Sequence, residues 1–168
     1  EEPNSPCLLA VPGSFSREQL SLLLGILQQF PIALQGMIDS ALLCCHHKAG
    51  RGQHLHLDLH LHQAVISELN GDQELTRDKV HCVAQQGWQS LLDALARIIT
   101  REFVQQTRFD PLHTAASEQA LYDQLPTAID NSRHEKMLEL RIDDYSIQLS
   151  SLILQQHVAE FFQPLQRE

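Results

Sequence analysis

The sequence predicts an α/β fold with a helix-rich second half, and three observations predict it. The first fifty residues alternate short apolar runs with helix-start signals. Residues 54–62 alternate histidine or aspartate with leucine in an unbroken period of two. From Trp88 onward, apolar residues recur at helical spacing. Period two is the geometry of a strand and a period near 3.6 that of a helix, so the chain carries both signals in sequence.

The elements follow in order. Cys7–Val11 is a short apolar run closed by Pro12-Gly13 and reads as a strand. Ser16-x-x-Gln19 is a capping-box pattern, followed by Leu20, Leu23, Leu24 and Leu27 on one helical face. Phe30-Pro31 stops that helix, because the residue before a proline is pushed out of the α region. Ile32–Ile38 is a second strand candidate. Asp39 or Ser40 then caps a helix over Ala41–Lys48, which Gly50-x-Gly52 ends.

His54–His62 reads as a strand with four leucines on one face and four histidines with Asp58 on the other. Ala64–Leu69 continues as a strand, Asn70-Gly71 signals a tight hairpin, and Glu74–Val83 is the returning partner. After Gly87, the residues Trp88, Leu91, Leu92, Leu95, Ile98, Ile99 and Phe103 form one helical face, broken at Phe109-Asp110-Pro111. Ser117–Leu125 reads as a second helix, with Pro126 ending it or opening a new turn. Met137–Ile142 alternates as a strand with Asp143-Asp144 as the turn beyond. Ser150 or Ser151 caps a last helix lined by Leu154, Val158, Phe161 and Leu165.

Composition excludes several functions. With 21 acidic and 12 basic residues among 168, the formal net charge is −9 and there is no basic stripe, so nucleic acid is not an expected partner. No apolar run reaches the ~20 residues that span a bilayer. Cys7, Cys44, Cys45 and Cys82 contain no C-x-x-C pair and read as buried free thiols of a reducing, cytoplasmic compartment. G-x-S-x-G, G-x-x-x-x-G-K-[ST] and G-x-G-x-x-G patterns are all absent, so neither a nucleophile elbow nor a P-loop nor a Rossmann site is signalled.

His54, His56, Asp58, His60 and His62 are the most unusual local feature. Imidazole and carboxylate suit zinc or nickel, and residues two apart on a strand can share an ion. The competing reading is a strand with a polar face whose histidines satisfy ordinary hydrogen bonds. Weak zinc or nickel binding is expected, with no metal needed for folding. The Cys44-Cys45-His46-His47 cluster sits on a helix, where consecutive side chains diverge by about 100° and do not converge on one ion.

The order of elements resembles the ATPase domain of heat-shock chaperones, within the actin-like superfamily. Leu8-Leu9-Ala10-Val11-Pro12-Gly13-Ser14-Phe15-Ser16-Arg17-Glu18-Gln19 is similar to that family's V-P-A-x-F-x-x-x-Q-R segment. Met37-Ile38-Asp39-Ser40-Ala41-Leu42 resembles its N-E-P-T-A-A helix start. Asp58-Leu59-His60-Leu61-His62-Gln63 with Ala64-Val65-Ile66-Ser67 falls where the family has D-L-G-G-G-T-x-D-V-S. Gly87 sits where it has a glycine opening a long helix, and Ser151–Leu165 is similar to a helix near the end of the same subdomain.

The resemblance implies a fragment of a two-lobed fold with ribonuclease-H-like sheet elements. Residues 1–50 would be the later half of the first lobe's base, residues 53–86 the β-hairpin sheet of the second lobe, and residues 87–168 its outer α+β subdomain. It implies ATP and magnesium as ligands of an intact relative. Asp58 would be a metal-side carboxylate and Asp39 a water-orienting acid, while His60, His62, Gln63 and Gly87 occupy phosphate-turn and helix-start positions. Three departures count against turnover. His60-Leu61-His62 replaces glycines whose backbone N–H groups approach phosphate, and a tight turn there would force left-handed backbone on residues with a Cβ. Ile38 stands at the family's acid, with Asp39 one position later. The first phosphate loop and the adenosine segment are not within the chain.

The functional expectation is therefore a degenerate ATPase-domain segment acting through an unidentified protein partner, with no cofactor required by this chain alone. Its rivals are an ATP-binding protein completed by segments outside the chain, with His60 or His62 on phosphate, and a metal-binding module using the histidine face.

Overall fold

The computed structural model describes residues 6–46 and 50–167 and is a mixed α/β structure. It divides into two compact units, Glu1–Val83 and Ala84–Glu168. The Lys48 end of the second expected helix falls outside the described residues.

The first unit opens with strand β1 (Pro6–Val11), helix α1 (Arg17–Leu27) and strand β2 (Ala33–Asp39). β1 and β2 pair in parallel, with an irregularity between Cys7 and Leu8. A parallel pair needs a crossover, which α1 supplies. The capping box is formed as expected: the Gln19 N–H donates to Ser16 Oγ at 3.3 Å, and the Ser16 N–H donates to Gln19 Oε1 at 2.8 Å. Helix α2 (Ser40–Cys45) follows directly and is capped by Asp39, whose Oδ1 accepts from the Ala41 N–H at 2.8 Å.

Strands β3 (Gln53–Leu59), β4 (Gln63–Asn70) and β5 (Thr76–Ala84) form an antiparallel β3–β4 hairpin with β5 on the far side of β4, in the order β3-β4-β5. The strand expected to run to His62 ends at Leu59, because His60–His62 makes the turn: the His60 N–H donates to the Gln63 carbonyl at 2.9 Å. The expected backbone cost of that turn does not arise, since positive φ among non-glycine residues falls at Gln85, Arg108 and Asp143. Asn70-Gly71 is not a two-residue hairpin either. β5 begins only at Thr76, and Gly71 is needed because a Cβ there would collide with the Gly50 carbonyl.

Amphipathic strands ordinarily bury their apolar face, and β3 does the reverse. Leu55 is 75% and Leu57 48% exposed, whereas His54, His56 and Asp58 are half-buried. The register explains it. Asp58, His56 and His54 lie opposite Val65, Ser67 and Leu69 of β4, all three of them buried. Among the described residues, the first unit buries a small apolar core, Val11, Ala41, Ala64, Val65 and Leu69, and α1 buries none of its residues.

The second unit holds most of the buried apolar residues. Helix α3 (Trp88–Thr107) buries Leu91, Leu92, Leu95, Ala96, Ile99 and Phe103 along one face. It ends where Arg108 adopts φ 64° and donates its N–H to the Val104 carbonyl. A short 3-10 turn, Pro111–His113, leads to α4 (Ala115–Asn131). This helix runs through Pro126 rather than stopping there. Leu121, Leu125 and Ala128, on one face across the proline, are buried, and their burial offsets the lost backbone bond. Strands β6 (Met137–Ile142) and β7 (Tyr145–Ser150) form a hairpin about Asp143-Asp144, both exposed, with Asp143 in the left-handed region that aspartate tolerates. β7 has no counterpart in the sequence reading. Helix α5 (Ser151–Phe162) completes the cluster with Leu154. Trp88 packs on the edge of this core.

Candidate functional site

The residues singled out in the sequence fall into separate arrangements. At the junction of β2 and α2, Asp39 turns one carboxylate oxygen to the Ala41 amide and the other to the Arg77 guanidinium on β5. Gly13, in the turn after β1, lies against this pair: a Cβ there would stand 2.6 Å from Arg77 Nη1 and 2.9 Å from Asp39 Oδ2. The Asp39 side chain is 11% exposed, so its charge is both neutralised and withdrawn from water. Both oxygens of this acid are engaged by the protein, which leaves it less able to orient a nucleophile.

At the end of β3, Asp58 Oδ2 lies 3.1 Å from His60 Nε2. His62 is exposed at the hairpin tip, and Gln63 closes the turn through its carbonyl. Gly87, in the second unit, is the N-cap of α3 in extended backbone and offers no side-chain cap, while its carbonyl accepts from the Leu91 N–H at 3.2 Å.

The histidine face divides its contacts. His54 donates to the Gly50 carbonyl at 2.8 Å, His56 Nδ1 lies 3.6 Å from Cys45 Sγ, and His60 takes Asp58. Among the described residues, no group of three or more His, Cys, Asp or Glu side chains is arranged to hold a metal ion. All four cysteines are free thiols, but none is buried: Cys44 and Cys82 are exposed, and Cys7 and Cys45 are half-buried. The expectation of buried thiols is corrected here: Cys44 and Cys45 lie on the short helix α2, Cys7 on β1 and Cys82 on β5, all in the unit with the small apolar core.

Two features escaped the sequence reading. Arg77 sits in the polar run Thr76-Arg77-Asp78-Lys79, which gives no sign of a partner 38 positions upstream. In the second unit, a groove of about 870 Å³ between α3 and α4 holds a small polar cluster. Tyr122 donates to Asp93 Oδ1 at 2.7 Å, and the Gln89 side chain donates to the same oxygen at 2.8 Å. Burial first, and then the Asp93 hydrogen bond and charge, raise the Tyr122 hydroxyl to about 12. The i, i+4 spacing of Gln89 and Asp93 was the only signal for this cluster.

No protein-family model matches the chain, and no curated protein matches it. No helix among the described residues is long and apolar enough to cross a membrane.

Proposed function

We propose that the chain is a degenerate segment of a chaperone- or actin-like ATPase domain, acting through protein contacts and not turning over ATP by itself. The observation that carries this reading is the hairpin at the end of β3. Asp58-Leu59 leads into a tight turn, β4 returns antiparallel to β3 with β5 on its far side, and Gly87 opens the long helix α3. That order is what the resemblance implies for the second phosphate turn and the subdomain after it. On this reading residues 1–50 belong to one lobe, 53–86 to the sheet of the other, and 87–168 to its outer subdomain.

Two pieces of chemistry support loss of turnover. His60, Leu61 and His62 bring side chains to a place where glycines would leave backbone N–H groups open to phosphate. Asp39, the candidate water-orienting acid, is held by Arg77 and the Ala41 amide. Phosphoryl transfer rests on preorganised donors and metal-bound charge, and losing even one such donor typically costs about 3–4 kcal/mol of transition-state stabilisation.

A thermal-shift series with magnesium-ATP up to near-millimolar concentration tests the reading. A ligand that binds only the folded chain raises its stability with concentration. The reading expects an unchanged melting temperature. A concentration-dependent rise that Asp58→Ala removes would favour the rival in which His60 or His62 contacts phosphate.

A further inference from the structure

The two edges of the β3-β4-β5 sheet are built differently. β5 carries Arg77, Asp78, Lys79 and His81, charges of the kind that discourage strand pairing. β3 carries no lysine, proline or bulge, and among the described residues it pairs on one side only, with β4. The His60–Gln63 bond and the hairpin register direct the backbone groups of His54, His56 and Asp58 at β4. Those of Gln53, Leu55, Leu57 and Leu59 therefore point out of the open edge. The same edge displays Leu55 and Leu57, the first of them three-quarters exposed. An open edge with exposed leucines and a single acidic residue, Asp58, is a template for another strand.

We propose that this edge pairs antiparallel with β3 of a second copy of the chain, joining two three-stranded sheets about a twofold axis at His56. One register is singled out. Only pairing centred on His56 overlaps the whole of Gln53–Leu59 with itself, Gln53 facing Leu59 of the other copy. In that register Leu55 and Leu57 of one copy become hydrogen-bonding partners of Leu57 and Leu55 of the other, making a four-leucine patch on one face. On the opposite face Asp58 lies across from His54 of the other copy, twice by symmetry. Directly opposed side chains stand ~5 Å apart, so each Asp58 carboxylate faces an imidazole and not another carboxylate, with His56 facing itself on the axis, and this polar pattern favours the antiparallel, centred pairing. The contact is self-complementary and closes at two copies. It does not depend on the ATPase-domain reading.

Sedimentation equilibrium of the 168-residue chain at pH 7, from micromolar to near-millimolar concentration, tests the proposal. The expected species is a dimer of twice the 19.0 kDa chain mass. Leu55→Lys, at a position too exposed to disturb the fold, returns the chain to a monomer with unchanged far-UV dichroism. His54→Asp sets two carboxylates opposite each other and also gives a monomer, and adding Asp58→His to it restores the dimer. A wild-type monomer throughout, an assembly larger than two, a dimer indifferent to Leu55→Lys, or a double exchange that stays monomeric each overturns the proposal.

Discussion

Arg77 on β5 holds the carboxylate of Asp39, the residue that caps α2, from 38 positions further along the chain. The pair ties the β1–β2 crossover to the three-stranded sheet, in a unit whose apolar core is small. Removing either partner acts differently on each side. Asp39→Ala loses the cap and the ion pair together and should destabilise the first unit by about 1–2 kcal/mol. Arg77→Ala leaves the cap intact but strands a largely buried carboxylate, and Asp39→Asn keeps a capping oxygen while removing the charge. Hydrogen exchange at the Ala41 amide reads this directly. Protection should fall most in Asp39→Ala and remain close to wild type in Asp39→Asn.

The Tyr122–Asp93 contact predicts alkaline behaviour. The Tyr122 hydroxyl rises from 10.0 to about 12 in the fold. Between those values the unfolded chain has released a proton that the folded chain retains, so the folded state binds more protons and stability falls as pH increases. The contribution is complete below pH 10 and is lost as pH rises through about 12. Absorbance titration in a Tyr145→Phe background, which leaves Tyr122 as the sole tyrosine, should give a midpoint near 12. Asp93→Ala should bring it part of the way back, since burial, the larger cause, remains.

Pro126 lies exposed inside α4, where it supplies no N–H to the preceding turn. Pro126→Ala restores that bond without touching the buried face of Leu121, Leu125 and Ala128. It should stabilise the second unit by about 1–2 kcal/mol, read as a higher urea midpoint in Trp88 fluorescence. Leu125→Ala in the same assay should cost about 2–5 kcal/mol, since Leu125 is fully buried.

Much of the fold was legible because its signals are local. The Ser16–Gln19 capping box, the Asp39 cap and the apolar face of α3 each depend on residues within one or two turns, and all three form as the pattern implies. The reading failed where a distant partner decides. Period two in residues 54–62 identified a strand but not which face would be buried, because that depends on Val65, Ser67 and Leu69 across the register. Tyr145–Ser150 carries only Ile147 and Leu149 as inward apolar residues, and Ser150 at its end read as a helix cap, so β7 was hidden until paired with β6. α4 outlasted Pro126 because tertiary burial outweighed a local penalty. In the candidate site, Asp39 and Asp58 stood out as acids in motif-like runs. Arg77, which decides what Asp39 is free to do, did not.

The most direct test of the central claim is titration calorimetry of the chain with magnesium-ATP at near-millimolar concentration. The account predicts no saturable heat, because on the proposed reading His60-Leu61-His62 brings side chains where an intact relative has glycines, and Asp39 is held by Arg77. Saturable micromolar binding that Asp58→Ala abolishes would contradict it.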